Sequence, residues 1–324
     1  MGVHRLMLLL AIWCTGWNAC AQRAIILSDA RVDTSALKMA FSAAQAKSFA
    51  VYEQSLDPNG KALKISSDAP DFHCYAPVYS PDGNFLLYLK QPTKTTRKSN
   101  YADIILYNRQ SQIGKQLTDG KKNIRQALFS PDGKRIVYIE AGFFGSYSPV
   151  GPKAAHELDV HSMTLEGTDL IQHSSIKAYA LGNMSLLQAP DTYLVNVDNS
   201  RLNLSGTYAY TLSDASSFKL IKDKVASEHQ LNYLPNLTVS PQKTVAYAIG
   251  DELFVKDMKT GFSEKVYSGP AHSNPYPMAF VGTQNMLIFS ETFKESDQST
   301  VGVFRINLLN LEDLKVLPVP IKLE

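Results

Sequence analysis

Three short segments of the chain repeat one order of side chains, histidine, then tyrosine, then proline: His73-Cys-Tyr75-Ala-Pro77, His229-Gln-Leu-Asn-Tyr233-Leu-Pro235 and His272-Ser-Asn-Pro-Tyr276-Pro277. Imidazole changes charge near neutral pH, and a phenol carries a donor and an acceptor on an apolar ring. Gathered together, such groups can hold a ligand, a metal ion or a partner's peptide, or pass a proton. His73, Tyr75, His229, Tyr233, His272 and Tyr276 are therefore the candidate binding residues. A structural reading competes with this one, in which proline supplies a bend, tyrosine an anchor and histidine a tolerated polar loop residue.

Other chemistries fit less well. Asp82 and Asp132 have the look of a carboxylate pair, but each sits in a Ser-Pro-Asp-Gly tetrad, where a turn demands that residue. His156-Glu-Leu-Asp-Val-His161 misses the zinc-protease spacing by one residue and falls on a predicted strand, which sends its two histidines to opposite faces. The sequence has no phosphate-cradling glycine loop, no Gly-x-Ser-x-Gly elbow and no paired-cysteine motif, so it points to no cofactor and no metal. Lys90, Lys94, Arg97 and Lys98 form one basic cluster, read as a solvated loop. Asn183, Asn203 and Asn236 stand in Asn-x-Ser/Thr sequons.

The elements that must carry these residues come from an internal repeat. Ala76 to Leu89 reads APVYSPDGNFLLYL and Gln126 to Ile139 reads QALFSPDGKRIVYI. In each, an alternating apolar stretch meets a tight turn and a second strand follows, which makes a hairpin. Weaker copies lie at Leu187 to Asn196, Leu237 to Ile249 and Met278 to Phe289. A second hairpin type falls between them, at Phe49 to Ile65, Asp103 to Thr118, Glu157 to Ile171, Thr207 to Ile221, Glu252 to Val266 and Val301 to Val316. Two hairpins per repeat, at a spacing of about 40 to 60 residues, make four-stranded blades. The fold expected is all-β, a β-propeller of six four-stranded blades over residues 49–318, with a short tail at 319–324. Residues 22–48 are a partial first blade or a short helix, because Thr34 to Gln45 is rich in Ala, Leu, Lys and Met.

The tetrad followed by Asp103-Ile-Ile-Leu-Tyr-Asn and Gly114-Lys-Gln-Leu-Thr118 resembles the TolB-like, WD40-like β-propeller repeat, also found in the propellers of prolyl oligopeptidase-type peptidases. The resemblance implies a propeller and, by analogy, a binding module of the cell envelope. A propeller enzyme, a polysaccharide lyase or hydrolase acting at the central funnel, is the alternative.

Blade parity sorts the loops. In an up-and-down blade the turns after the first and third strands lie on one side of the disc, and the loop after the second strand and the link to the next blade lie on the other. The tight tetrads fall on the first side. The long loops Gln91 to Tyr101, Ala141 to Ala155 and Glu291 to Thr300 fall on the second with the links, so the expected binding face, for an envelope protein or a cell-wall component, is the loop-rich one. The His-Tyr-Pro links are expected to ring the channel mouth there.

Charge excludes one partner class: 32 Lys and Arg against 30 Asp and Glu make no field for nucleic acid. Arg5 followed by the apolar run Leu6 to Ile12 and by Ala19-Cys20-Ala21 reads as a signal peptide over 1–21, hence export to the periplasm or envelope, or secretion. Membrane attachment is expected only through acylation of Cys20. Cleavage before Gln22 leaves Cys74 as the one cysteine, with no internal disulfide.

Overall fold

The computed structural model describes residues 27–321 except 34–37, 46–47, 57–59, 67–70, 95–100, 147–152, 189, 215–216, 282–284, 294–302 and 320. The expected signal peptide, with Cys14 and Cys20, lies outside the described residues, as do Arg97 and Lys98 and the centres of the three long loops. Among the described residues twenty-four strands form six four-stranded antiparallel sheets, each built from four consecutive strands.

Blade 1 is β1 (Leu27–Asp33), β2 (Lys38–Gln45), β3 (Ser48–Ser55) and β4 (Leu63–Lys64), and blade 2 is β5 (Phe72–Tyr79), β6 (Phe85–Pro92), β7 (Asp103–Asn108) and β8 (Ile113–Gln116). Blade 3 is β9 (Asn123–Phe129), β10 (Arg135–Gly145), β11 (Ala154–Thr164) and β12 (Ile171–Gln172). Blade 4 is β13 (Ala180–Gln188), β14 (Thr192–Asn199), β15 (Leu204–Thr211) and β16 (Phe218–Leu220), and a one-turn helix, α1 (Lys224–Glu228), leads onward from it. Blade 5 is β17 (Thr238–Val239), β18 (Thr244–Ile249), β19 (Glu252–Asp257) and β20 (Ser263–Ser268), and blade 6 is β21 (Asn274–Phe280), β22 (Met286–Phe293), β23 (Val303–Asn310) and β24 (Val316–Val319).

Alternation makes these strands and then joins the blades. On β6, Leu86 and Tyr88 pack into a core shared with Ala40 and Val51 of blade 1. Leu87 and Leu89, one residue out of phase, pack with Ile136 and Tyr138 of blade 3. A sheet with both faces dry needs a neighbour on each side, so a lone blade is not stable. Each adjacent pair of blades shares one such cluster, six in all. The ring closes when Met39, Phe41 and Tyr52 of blade 1 meet Met278, Ile288 and Ile306 of blade 6. The first strands line the channel, each touching the first strands of both neighbouring blades, β21 back to β1.

Blade 1 takes its inner half from β1 and β2, and no strand is borrowed from the other terminus. The helical reading of the stretch before residue 49 fails over Lys38–Gln45. Met39, Phe41 and Ala43 alternate into the blade 6 interface while Ala40 faces blade 2, a period of two that overrides helix propensity. At the other end β24 runs to Val319 and Ile321 is buried in the closing cluster, so the expected tail is partly core.

The inner strands share a β-bulge. Register shifts fall between Tyr75 and Val78, Gly182 and Ser185, and Pro277 and Ala279. Ala76 and Asn183 within two of these, and Asn236 just before β17, adopt φ of 53°, 51° and 50°. The bulge turns one backbone unit toward the channel, where a neighbour can grip it. Gln126 of blade 3 does so: its Nε2 donates to the Met184 carbonyl at 2.8 Å and its Oε1 accepts the Met184 N–H at 2.9 Å.

Candidate functional site

The histidines and tyrosines of the three links are not gathered into one ring. His73 lies on β5 and accepts the Phe49 N–H through Nδ1 at 3.3 Å, with the Phe49 ring 5.6 Å from its own. Its ring is therefore held against the third strand of blade 1, farther from the axis than the inner strands. His229 follows α1, where its Nδ1 lies 2.9 Å from the Val225 carbonyl and its ring stands edge-on to Phe254 of β19 at 6.2 Å. His272 sits exposed in the link to blade 6 at φ 62°. Tyr75 donates to Gln91 Oε1 at 3.2 Å. Of the six candidates, Tyr276 alone lines the channel cavity, and Tyr233 lines a separate one on the other face.

The loop-rich face carries an extended hairpin that no sequence motif marks. Both ends of the expected loop from Ala141 to Ala155 are ladder, because β10 and β11 run 11 residues each and stay paired from Ala141 with Leu158 to Gly145 with Ala154. The hairpin extends a blade whose counterparts have shorter middle strands. On it the Phe143 ring stacks on His156 at 6.1 Å, and the ring of Tyr179, from the link to blade 4, lies 4.9 Å from the same imidazole. His156 is buried, whereas Phe143 and Tyr179 are 39% and 56% exposed. His161, five residues on, stacks instead on Tyr138, toward blade 2.

Two more large apolar side chains stand out on this face, Leu202 at 52% and Tyr233 at 44%. Leu202 belongs to the loop after the second strand of blade 4, which is tied to the preceding link by Asn199 Nδ2 donating to the Ile176 carbonyl at 2.6 Å. Tyr233 is set by its neighbour Leu234, whose N–H donates to Thr207 Oγ1 at 2.7 Å and whose carbonyl accepts from Asn196 Nδ2 at 2.9 Å. Beneath Tyr233 a cavity of about 240 Å³ is bounded by Ser205, Leu220 and Asn232. Motif reading does not reach this cluster, because rings from one hairpin and the link that follows it carry no spacing rule.

The opposite face is built from turns. Ser80 Oγ donates to Asp82 Oδ1 at 2.6 Å and accepts the Phe85 N–H at 2.9 Å, while Asp82 Oδ1 also accepts the Asn84 N–H at 3.1 Å. Ser130, Asp132, Lys134 and Arg135 repeat the pattern at the same distances. The serine hydrogen bond holds each aspartate below the usual carboxylate range. Gly83 and Gly133 close the tetrads at φ 71° and 69°. Both carboxylates are thus engaged in turn geometry. At the centre of this face the channel opens into a cavity of about 190 Å³, lined by all the inner strands from β5 to β21.

Remaining candidates are structural. Lys90 lies over the Phe72 ring at 4.2 Å, and Lys94 is exposed. Cys74 is buried at the interface of blades 1 and 2, and burial pushes its thiol up. The three sequon asparagines all take positive φ, at 51°, 53° and 50°, a conformation that asparagine tolerates better than other side chains, so the backbone accounts for their presence. Among the described residues no group of three or more His, Cys, Asp or Glu is placed to share a metal ion. No helix among them is long and apolar enough to cross a membrane.

Six consecutive four-stranded blades around a channel define a six-bladed β-propeller. The model of the dipeptidyl peptidase IV N-terminal region matches residues 80–141, the span of the two clearest tetrads. TolB from Acinetobacter baumannii is similar in structure, with a TM-score of 0.59 at 14% identity over 96% of this chain and 68% of that one. An oligogalacturonate lyase from Vibrio parahaemolyticus has a TM-score of 0.55 at 11% identity, over 91% and 78% of the two chains. An acylaminoacyl peptidase has 0.54 at 13% identity over 93% of this chain, which spans only 54% of that enzyme. No protein of curated function matches. At these identities the likeness is one of fold, and propellers host many functions.

Proposed function

We propose that this propeller is an exported binding module of the cell envelope, taking a partner protein on the loop-rich face of blades 3 and 4. One observation carries the reading: Phe143, Tyr179, Leu202 and Tyr233, all between 39% and 56% exposed, lie on that face, and two of the rings are held in place through buried His156. Rigid aromatic anchors of this kind dominate protein interfaces, since they bury large area at small loss of side-chain freedom. Structural similarity to TolB and the signal-peptide pattern of residues 1–21 support the envelope as the place. The funnel enzyme is the weaker reading, because the hydrogen bonds of His73 and His229 engage them away from the channel.

A photo-reactive residue at Tyr179 is expected to cross-link one partner in intact cells, and the same residue at Ile113 on the outer rim is not. Equal capture at both positions, or unchanged capture after Phe143→Ala, overturns the reading. Mass spectrometry of the exported protein is expected to find Gln22 at its N-terminus; a diacylated Cys20 places it on the membrane instead.

A further inference from the structure

The cavity of about 240 Å³ between the outer half of blade 4 and the link to blade 5 has apolar walls that solvent reaches. Leu220 of β16 and Tyr233 of the link line it and are 42% and 44% exposed, and half-buried Leu231 joins them. Gly206 lets the walls close to this spacing. A Cβ there would lie 2.8 Å from the Asn232 carbonyl oxygen and 2.9 Å from Leu220 Cδ1, so any other residue would push the link and the outer strand apart. The same link is fixed before a ligand arrives. Leu234 N–H donates to Thr207 Oγ1 at 2.7 Å, Ile221 N–H donates to the Thr207 carbonyl at 2.9 Å, and Asp223 caps α1 while Lys256 holds it from blade 5. Walls set in advance lose little freedom on binding.

Charge decides what the cavity suits. Two charged side chains line it, Lys222 and Asp223. Asp223 is buried and its charge is met by Lys256 at 2.9 Å. Lys222 is exposed and, among the described residues, forms no ion pair. An apolar cleft with one uncompensated ammonium on its lining is complementary to an apolar group that carries a negative charge beside it. The N–H groups of Ser205, Ile221, Ala226, Ser227, Leu231 and Leu234 are engaged within the protein. Few are left to cradle a terminal carboxylate, so the charge that fits is a side chain's, taken by the lysine at the end of its flexible stem.

We propose that this cavity takes one apolar side chain of a partner protein and that Lys222 takes an aspartate or glutamate next to it in the partner's chain. The inference rests on the docking role of the loop-rich face and names the kind of segment that face selects. Burial of the apolar side chain supplies the affinity, and the ammonium discriminates among apolar segments. The cavity is smaller than a drug-sized pocket, which suits a single side chain.

A short peptide capped at both ends and carrying leucine followed by glutamate, titrated at low salt into methyl-labelled protein, is expected to shift the Leu220 and Leu231 resonances. The same peptide with glutamine is expected to bind about threefold more weakly, the worth of one exposed ion pair, and the difference should vanish at high salt. Lys222→Glu, an exposed change that leaves the walls intact, should make a leucine-lysine peptide the better ligand. Leu220→Ser should weaken the glutamate and glutamine peptides alike. Equal binding of glutamate and glutamine peptides, an order of preference unchanged in Lys222→Glu, or a leucine with a free terminal carboxylate that binds as well as the capped glutamate peptide overturns the proposal. No binding of any peptide while Tyr179 still captures a partner overturns it and leaves the docking face standing. Selective binding of the glutamate peptide without capture at Tyr179 supports the cavity and overturns the wider face.

Discussion

Lys256 of β19 reaches Asp223, the residue that caps α1 in the link from blade 4, with Nζ 2.9 Å from Oδ2 and both side chains under 5% exposed. Ser263 and Tyr247 donate to the same carboxylate at 2.6 Å and 3.0 Å, and the Ala226 N–H at 2.8 Å. The pair latches blade 5 to the link that precedes it. Asp223→Ala leaves a buried ammonium unpaired and is expected to lose about 3 to 5 kcal/mol in urea denaturation. Adding Lys256→Met to Asp223→Ala should recover much of that, since an apolar pair removes the stranded charge. A double variant no more stable than Asp223→Ala would show that the ion pair is not the latch.

Burial alone would raise the Asp223 carboxyl, but the hydrogen bonds from Ser263 and Ala226 and the Lys256 ammonium outweigh it and hold it below the usual range. A depressed folded value means stability that is present above the unfolded pKa of about 3.9 and lost as pH falls through the folded one. Acid unfolding of the wild type below about pH 4 should therefore be steeper than that of the Asp223→Ala, Lys256→Met variant, measured by circular dichroism across pH 5 to 2.

Histidines in blade 3 act at higher pH. Burial pushes His161 below its ordinary value against the pull of Glu140 and Asp159, and does the same to His173 against its contact with the Leu212 carbonyl. The unfolded chain takes up these protons near pH 6.5 and the folded one does not, so stability falls as pH drops below about 6.5. Urea midpoints at pH 7.5 and pH 5.5 should differ, and less so in a His161→Gln, His173→Gln variant. An identical difference in both proteins would assign the slope elsewhere.

Positive φ at Asn236 and Gly133 predicts opposite tolerances. Asn236→Gly should be neutral or slightly stabilising, whereas Asn236→Ala should cost about 1 kcal/mol. Gly133→Ala should cost about 1 to 2 kcal/mol from the backbone alone, as the new Cβ meets Pro81 at an ordinary 3.6 Å. Thermal denaturation of the three variants checks all of this.

Gln126 spans two blades inside the channel, and Gln126→Ala strands the Met184 N–H and carbonyl that it pairs. A loss of about 1 to 3 kcal/mol with an unchanged urea m-value is the expected result.

The strand pairs and turns of this protein were legible from residue types alone, because alternation and Ser-Pro-Asp-Gly act over a few residues. Even the decayed copy at Ser240 keeps the geometry, with Thr244 N–H donating to Ser240 Oγ at 3.0 Å and Lys243 at φ 63° where glycine stands elsewhere. Blade 1 was half legible: the period of two in Met39, Phe41 and Ala43 was present but masked by residues that also favour helix. The candidate site was much less so. The order His-Tyr-Pro is a real repeat, yet the same order leads His73 to Phe49, His229 to Phe254 and Tyr276 to the channel, because each link meets a different neighbour. Phe143 and His156 meet within one hairpin, but Tyr179 joins them, as Lys256 joins Asp223, only when a link between blades packs against a blade. Sequence by itself determined the blade, a local object set by backbone preference and alternation. Only the closed ring decided which side chains share a face, since that depends on contacts between segments far apart in the chain.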